Sequence, residues 1–149
     1  MNTSRHLLRY KHSLLTLLVI FIIFAFSFQS GDDSTNQSGW VVQIVINIFT
    51  FLHLPTTGYP LAFIVRKLAH FSEYFVLGLT IPSTQKELNF SNLKTIIFVI
   101  PLIDEEIQFF TPGRVSSPID MSIDACGLFT GLLVSYFFYK AFILKNKAS

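Results

Sequence analysis

The sequence contains few charged residues and a single cysteine. Only 13% of its 149 residues are Asp, Glu, Lys or Arg, which is too little polar surface to cover a soluble domain of this size. Cys126 has no second cysteine to pair with, so an internal disulfide is excluded. Nothing in the sequence indicates a lipidation motif or nucleic-acid binding. These absences argue against a soluble domain and against a nucleic-acid partner.

Hydrophobic residues are abundant instead, at 51% of the chain, and Phe alone supplies 17 positions. We therefore expect an integral membrane protein with one domain, residues 1–149. Basic residues flank the first and last apolar runs, whereas acids without bases follow the first run. These flanking residues are Arg5, Arg9, Lys11, Lys140, Lys145 and Lys147, with Asp32 and Asp33 as the acids. The distribution predicts that both termini are cytoplasmic and that the number of spans is even.

The first third of the chain predicts one span followed by a helix that does not cross. The run Ser13–Phe28 carries no charge and is interpreted as a retained anchor, with a cleaved signal peptide as the alternative. Gln29–Gly39 is small and polar, which predicts an exterior loop. Trp40–Leu54 is apolar but short, which favours an interfacial or re-entrant helix.

Prolines mark the predicted bounds of spans two and three. The second span runs over Leu61–Ile81 and is stopped by Pro82, and Ser83–Asn92 forms a polar cytoplasmic loop. The third span must extend over Leu93–Gln108 to be long enough, with a kink at Pro101.

The last predicted span is Ile119–Tyr139, reached through a loop at Thr111–Pro118 in which Pro112-Gly113 suits a type II turn. The predicted fold is therefore all-α and polytopic. It has four transmembrane helices, a short interfacial or re-entrant helix and cytoplasmic termini.

The second span carries four ionisable residues: Arg66, Lys67, His70 and Glu73. A central charge costs roughly 2.5–3.5 kcal/mol on insertion scales, whereas each large apolar residue contributes only about 0.3–0.6 kcal/mol. These side chains therefore need partners in the protein.

The predicted topology brings polar residues of three spans to the outer half of the membrane. They are Arg66, Lys67 and His70; Asp104, Glu105, Glu106 and Gln108; and Asp120 and Asp124, with Arg114 in the joining loop. Arg66, His70 and Glu73 share one helix face by their spacing. Asp120, Asp124, Gly127 and Gly131 form another stripe, where glycines permit close approach. We expect a polar cavity open to the exterior.

Two motifs combine these residues at fixed spacing. The first is Arg66-Lys67-x-x-His70-x-x-Glu73-Tyr74-x-x-Leu77-Gly78. The second is Asp104-Glu105-x-x-Gln108-x-Phe110-x-Pro112-Gly113-Arg114, followed by Asp120 and Gly127. They resemble the signatures of the VanZ-like family, named for teicoplanin resistance, although Asp124 departs from the Asn usual in the family. The resemblance covers about residues 61–133 and implies a small bacterial membrane protein, some relatives of which lower susceptibility to glycopeptides.

Candidate roles follow from residue chemistry. His70, Glu73 and Glu105 are candidates for acid/base catalysis. Candidates for ligand binding are Arg66, Lys67, Asp104, Gln108, Arg114, Asp120 and Asp124. A structural network that only neutralises the second span is the alternative. A metal held by His70, Glu73, Asp104 and Glu105 is compatible with the residue types, but nearby Arg and Lys argue against it, so no metal and no cofactor are predicted.

The favoured function is an envelope protein whose outward-facing site binds an anionic lipid or a lipid-linked precursor. An amphiphilic glycopeptide is the other ligand considered, and the location is the bacterial cytoplasmic (inner) membrane. The main alternative is a membrane-embedded hydrolase or transferase acting on such a lipid. A transporter is less favoured because the sequence lacks the internal repeat of many carriers.

Overall fold

The computed structural model of the chain describes residues 10–56, 60–90, 92–93 and 97–148. This part is all-helical and contains no strand. Its five helices are α1 (Lys11–Ser27), α2 (Gly31–Phe51), α3 (Leu61–Leu88), α4 (Ile100–Phe110) and α5 (Pro118–Ala148). The predicted all-α fold class is confirmed.

α2 begins directly after a three-residue break, so the predicted exterior loop Gln29–Gly39 is wrong. Ser30 caps the helix, because its Oγ accepts a hydrogen bond from the Asp33 N–H at 3.2 Å. Asp32 and Asp33 stand in the first turn, where acids complement the helix dipole. Polar residues typical of a loop therefore start a helix. Trp40–Phe51, the larger part of the predicted segment Trp40–Leu54, forms its second half.

Pro82 lies inside α3, and the prediction that it stops the helix is wrong. The segment beyond the proline is held by tertiary contacts: Thr84 is buried and its Oγ1 lies 2.8 Å from the Oγ1 of Thr16 in α1. Bundle contacts of this kind compensate for the single backbone hydrogen bond that proline removes. The predicted loop Ser83–Asn92 is consequently helical as far as Leu88.

The predicted kinked helix from Leu93 is also wrong. α4 begins at Ile100, and Pro101 stands in its first turn, where a missing N–H leaves no helical hydrogen bond unmade. α4 has 11 residues and is therefore about 17 Å long, shorter than a hydrocarbon core of about 30 Å. Residues 94–96 of the predicted span lie outside the described residues.

α3 and α5 run parallel and form the most extensive helix pair. Their contacts follow the same order along both helices: Lys67 with Asp120, His70 with Asp124, Phe71 with Gly127 and Phe75 with Gly131. A Cβ at Gly127 or Gly131 would overlap the carbonyl oxygen of the facing phenylalanine. The predicted role of these glycines in close packing is confirmed.

α1 runs antiparallel to α3, which defines two ends of the bundle. At one end, the backbone N–H groups of His12 and Ser13 donate to the Glu87 carboxylate at 3.0 and 3.1 Å. At the other, the Thr111 Oγ1 donates to the Ser27 carbonyl at 3.1 Å. The buried apolar core between them comprises Ile23, Tyr74, Leu77, Ile81, Ile97 and Leu128. We call the end that carries Ser27 and Thr111 the site end.

The bundle buries polar residues and exposes apolar ones. In α1, Ser13, Thr16 and Ser27 are buried, whereas Leu17 and Phe21 are 61% and 70% exposed. α5 likewise buries two aspartates and exposes a row of aromatic residues, including Phe129, Tyr136, Phe137, Phe138 and Tyr139. Exposed apolar surface of this extent is characteristic of a protein whose surroundings are apolar.

Helix length and composition identify one stretch of the described chain that could cross a membrane, Pro118–Ala141. The pair α1–α2 meets the same criterion when taken together, although it is bent by 112° at the break. These two observations do not by themselves establish the four predicted spans.

Candidate functional site

Two contacts join α3 to α5 at the site end. Lys67 Nζ forms an ion pair with Asp120 Oδ1. One turn along, His70 Nδ1 lies 3.2 Å from Asp124 Oδ1. Because the two helices are parallel, residues spaced by three or four positions on each face one another turn by turn. Two of the four ionisable residues of the predicted second span, Lys67 and His70, therefore have their partners in α5.

α4 contributes Asp104, a carboxylate held at both oxygens. Ser27 Oγ of α1 donates to Oδ1, and Gln108 Nε2 donates to Oδ2 at 3.2 Å. The latter contact joins two residues that lie one helical turn apart. Asp104 and Gln108 are each only 1% exposed. This carboxylate is thus fixed in position inside the bundle.

His70, Asp104 and Asp124 come together from three helices. All three are buried, and one nitrogen or oxygen atom of each lies within 4.8 Å of the others. We call these three residues the His–Asp cluster. The predicted convergence of ionisable side chains from three segments is confirmed at this point. The cluster is also the place in the described chain where residue types suited to a metal come together.

The surroundings of the cluster contain acceptor atoms that no donor satisfies. Asp124 Oδ2 and Gln108 Oε1 are buried and have no hydrogen-bond partner among the described residues. Glu73 lies close enough to interact electrostatically with all three cluster residues. A buried acceptor left unpaired costs about 1–3 kcal/mol. Two acceptors beside the cluster carboxylates therefore lack a donor among the described residues.

A cavity of about 550 Å³ lies beside the cluster. Its polar wall consists of Arg66, His70, Glu73, Gln108 and Arg114. Its other walls come from α1, α2 and α3 and combine hydroxyls with apolar side chains: Phe26, Ser34, Ser38, Trp40, Val41, Val45, Val65 and Leu68. The cavity is amphiphilic, with cations and an acid on one side and apolar surface on the other.

Arg66 is the cavity cation without a partner in the described chain. Its Nε is buried and forms no hydrogen bond there, and neither ion pair in this part of the protein includes it. Lys67, in contrast, is already paired with Asp120. A guanidinium whose buried Nε–H is unpaired is suited to an anion that enters the cavity.

Arg114 is held mainly by backbone. Its Nε donates to the Gln29 carbonyl at 3.1 Å and its Nη2 to the Phe26 carbonyl at 2.9 Å, so it clamps the loop to the end of α1. It comes from a turn in which Gly113 has φ of +73° and the Arg114 N–H donates to Thr111. Partial burial, and then repulsion from the nearby Arg66, lower the pKa of Arg114.

Glu105 caps the start of α5. Its Oε2 accepts hydrogen bonds from Ser116 Oγ at 2.9 Å and from the Ser117 N–H at 2.6 Å. Glu105 does not line the cavity. Its role in acid/base catalysis stays a prediction, and the contacts describe a residue that positions the loop before α5.

The predicted site residues divide into three groups. Arg66, His70, Glu73, Gln108 and Arg114 line the cavity; Asp104 and Asp124 stand behind it with His70; and Lys67, Glu105 and Asp120 make contacts within the fold. Sequence reasoning missed Ser27, the partner of Asp104. The signal was the spacing of Ser13, Thr16, Ile23 and Ser27 on one face of an otherwise apolar helix.

Comparison with known proteins gives one match. The family model described as VanZ/LLP1 matches residues 13–139, which is most of the chain. No curated protein and no solved structure matches the chain. The match extends beyond both motifs to include α1 and α2, which supply walls of the cavity. The chain belongs to the VanZ/LLP1 family.

Proposed function

We propose that this VanZ/LLP1 protein is a polytopic protein of the bacterial cytoplasmic membrane whose cavity binds the anionic headgroup of an envelope lipid or lipid-linked precursor. The observation that carries the proposal is the buried, unpaired Nε of Arg66 in the wall of an amphiphilic cavity. A phosphate bound to the guanidinium leaves the acyl or isoprenoid chain beside apolar residues such as Trp40 and Val41.

Membrane embedding is supported by the inverted distribution of polarity. Leu17 and Phe21 of α1 face outward and Ser13, Thr16 and Ser27 face inward, as lipid contact requires. Four crossings are proposed, by α1, α3, α5 and the part of the chain between α3 and α5 that contains α4. The antiparallel contacts of α1 with α3 support this arrangement, since each end of the bundle then lies on one side of the membrane.

The proposed topology predicts opposite accessibility of the two bundle ends. In a Cys126→Ser background, Asp33→Cys near the site end should react with a membrane-impermeant maleimide in intact spheroplasts. Lys86→Cys at the opposite end should react only after permeabilisation. Asp33 and Lys86 are both exposed, so neither change removes a core contact. Labelling of both sites from one side would contradict the four-crossing arrangement.

The ligand proposal predicts selective retention of anionic lipid. The full chain in detergent is to be incubated with phosphatidylglycerol, an isoprenoid phosphate and phosphatidylcholine, and the retained lipids measured by native mass spectrometry. Either anionic lipid should be retained at least about tenfold better than phosphatidylcholine, the equivalent of about 1.4 kcal/mol. The two anionic arms distinguish a phospholipid from an isoprenoid ligand, and equal retention of all three would contradict the proposal.

A membrane-embedded hydrolase or transferase is the second candidate. Glu73 lines the same cavity as His70 and forms no hydrogen bond within the described residues, so it is free to exchange a proton with a bound ligand. Comparing extracted lipids from cells expressing wild type and Glu73→Gln discriminates between the two. A lipid product that disappears with Glu73→Gln favours catalysis, and identical lipid profiles favour binding alone.

The link to glycopeptide susceptibility is part of the proposal. A protein that sequesters or changes an anionic envelope lipid alters the surface that teicoplanin encounters. Expression of the chain should then change the inhibitory concentration of teicoplanin, and Arg66→Gln should remove that change.

A further inference from the structure

We infer that the His–Asp cluster is a binding site for a divalent transition-metal cation such as Zn²⁺. The cluster combines one imidazole and two carboxylates, donors that Zn²⁺ accepts, and all three residues are buried. Imidazole is a poor ligand for Mg²⁺ or Ca²⁺, which take oxygen donors.

The donor atoms are already close to the required spacing. They lie within 4.8 Å of one another, whereas ligands around a tetrahedral Zn²⁺ are about 3.4 Å apart. The three side chains therefore need to close by about 1.4 Å at most. Water or a bound ligand completes the coordination.

Independent support comes from the unsatisfied acceptors. Asp124, which is fully buried, has one oxygen on His70 and the other, Oδ2, without a partner in the described chain. Gln108, 1% exposed, also has an unpartnered oxygen. A cation held by the cluster carboxylates would give the free Asp124 oxygen a partner.

The contacts of Asp104 are those of a ligand held in place by its neighbours. Ser27 donates to one of its oxygens and Gln108 to the other, so the carboxylate is oriented before any cation binds. Of the nearby bases, Lys67 pairs with Asp120 and Arg114 donates to two carbonyls, so neither forms an ion pair with a cluster carboxylate. Arg66 lines the adjacent cavity, and neither ion pair in the described chain includes it.

The test is Zn²⁺ binding by the full chain in detergent after treatment with a chelator. Calorimetry should give one site per chain. Asp124→Asn and Asp104→Asn should each weaken it at least about 100-fold, since even changes to residues behind the ligands cost about 10–100-fold. Ser27→Ala should weaken it about tenfold. The exposed acid on α4 provides the matched control: Glu106→Gln should bind as wild type does.

X-ray absorption of the Zn²⁺-loaded wild type keeps the inference falsifiable if a variant fails to fold. One imidazole with oxygen ligands at about 2.0–2.2 Å is expected. Two or more imidazoles, no binding to the folded wild type, or unchanged affinity in both aspartate variants would overturn the inference. Binding is measured without lipid and should persist in Arg66→Gln, so its failure is distinguishable from failure of the lipid proposal.

Discussion

Replacing Gly131 by Ala is expected to destabilise the bundle by about 3 kcal/mol, the upper end of the range for overpacking. The added Cβ overlaps the Phe75 carbonyl oxygen, and the next atoms it meets are backbone atoms of Gly78 and Leu79. Backbone of a helix cannot rotate away as a flexible side chain can. α3 and α5 must therefore separate, and they form the largest helix interface in the described chain.

Gly39 provides a control of opposite sign. It lies in α2, and a Cβ there meets nothing within 4 Å. Gly39→Ala should leave the bundle unchanged or stabilise it by about 0.5–1 kcal/mol, because alanine loses less conformational entropy in a helix. Thermal unfolding of both variants in nanodiscs measures the difference. Equal midpoints for the two would contradict the parallel contact of α3 with α5.

The convergence of charged residues could be predicted because residue spacing gives the face of a helix and flanking basic residues give the direction of a span. His70 and Glu73 lie on one face by spacing alone, and the positions of basic residues assign α3 and α5 the same direction. These two inferences are sufficient to bring His70 near Asp124, although 54 positions separate them.

The individual pairings could not be predicted, because they depend on the relative rotation and register of packed helices. Arg114 and Asp120 belong to the same predicted polar set, but Lys67 pairs with Asp120 and Arg114 donates to carbonyls at the end of α1. The register follows from glycine contacts between α3 and α5, such as that of Gly127 with Phe71. The residues around one partner of such a contact do not indicate which distant residue is the other partner.

Helix bounds were wrong where tertiary contacts override local signals. Pro82 predicts the end of a helix, but the buried hydroxyl contact between Thr84 and Thr16 holds the turn after the proline against α1. Gln29–Gly39 reads as a loop, but Ser30 and the acids after it form a helix start. Pro101 is the opposite case, since it starts a helix where a kink was expected. Ser27 was overlooked because the hydroxyls of the apolar run carry no charge, although Ser13, Thr16 and Ser27 are spaced along one face of the helix.

Arg66→Gln is expected to weaken binding of an anionic lipid by about 10–100-fold. A hydrogen bond to a charged group contributes about 1.5–3 kcal/mol, and each 1.4 kcal/mol corresponds to a factor of ten. The Arg66→Gln substitution should remove this whole contribution to binding, because the buried Nε of Arg66 has no other hydrogen-bond partner among the described residues. Lys67→Gln removes an equal charge from the next position, but Lys67 is already neutralised by Asp120, so its effect on the lipid should be smaller.

Two further variants separate the guanidinium from charge in general. Arg66→Lys keeps the charge but loses the planar donor pair, so binding should fall to between the wild type and Arg66→Gln. Lys140→Gln removes an exposed cation in α5, outside the cavity, and should bind as the wild type does. Native mass spectrometry of retained lipid in all four variants orders them. A lipid bound in the cavity contacts position 66 and not position 140. Equal losses of retained lipid in Arg66→Gln and Lys140→Gln would therefore mean that the net charge of the protein attracts the lipid, and would contradict the proposal.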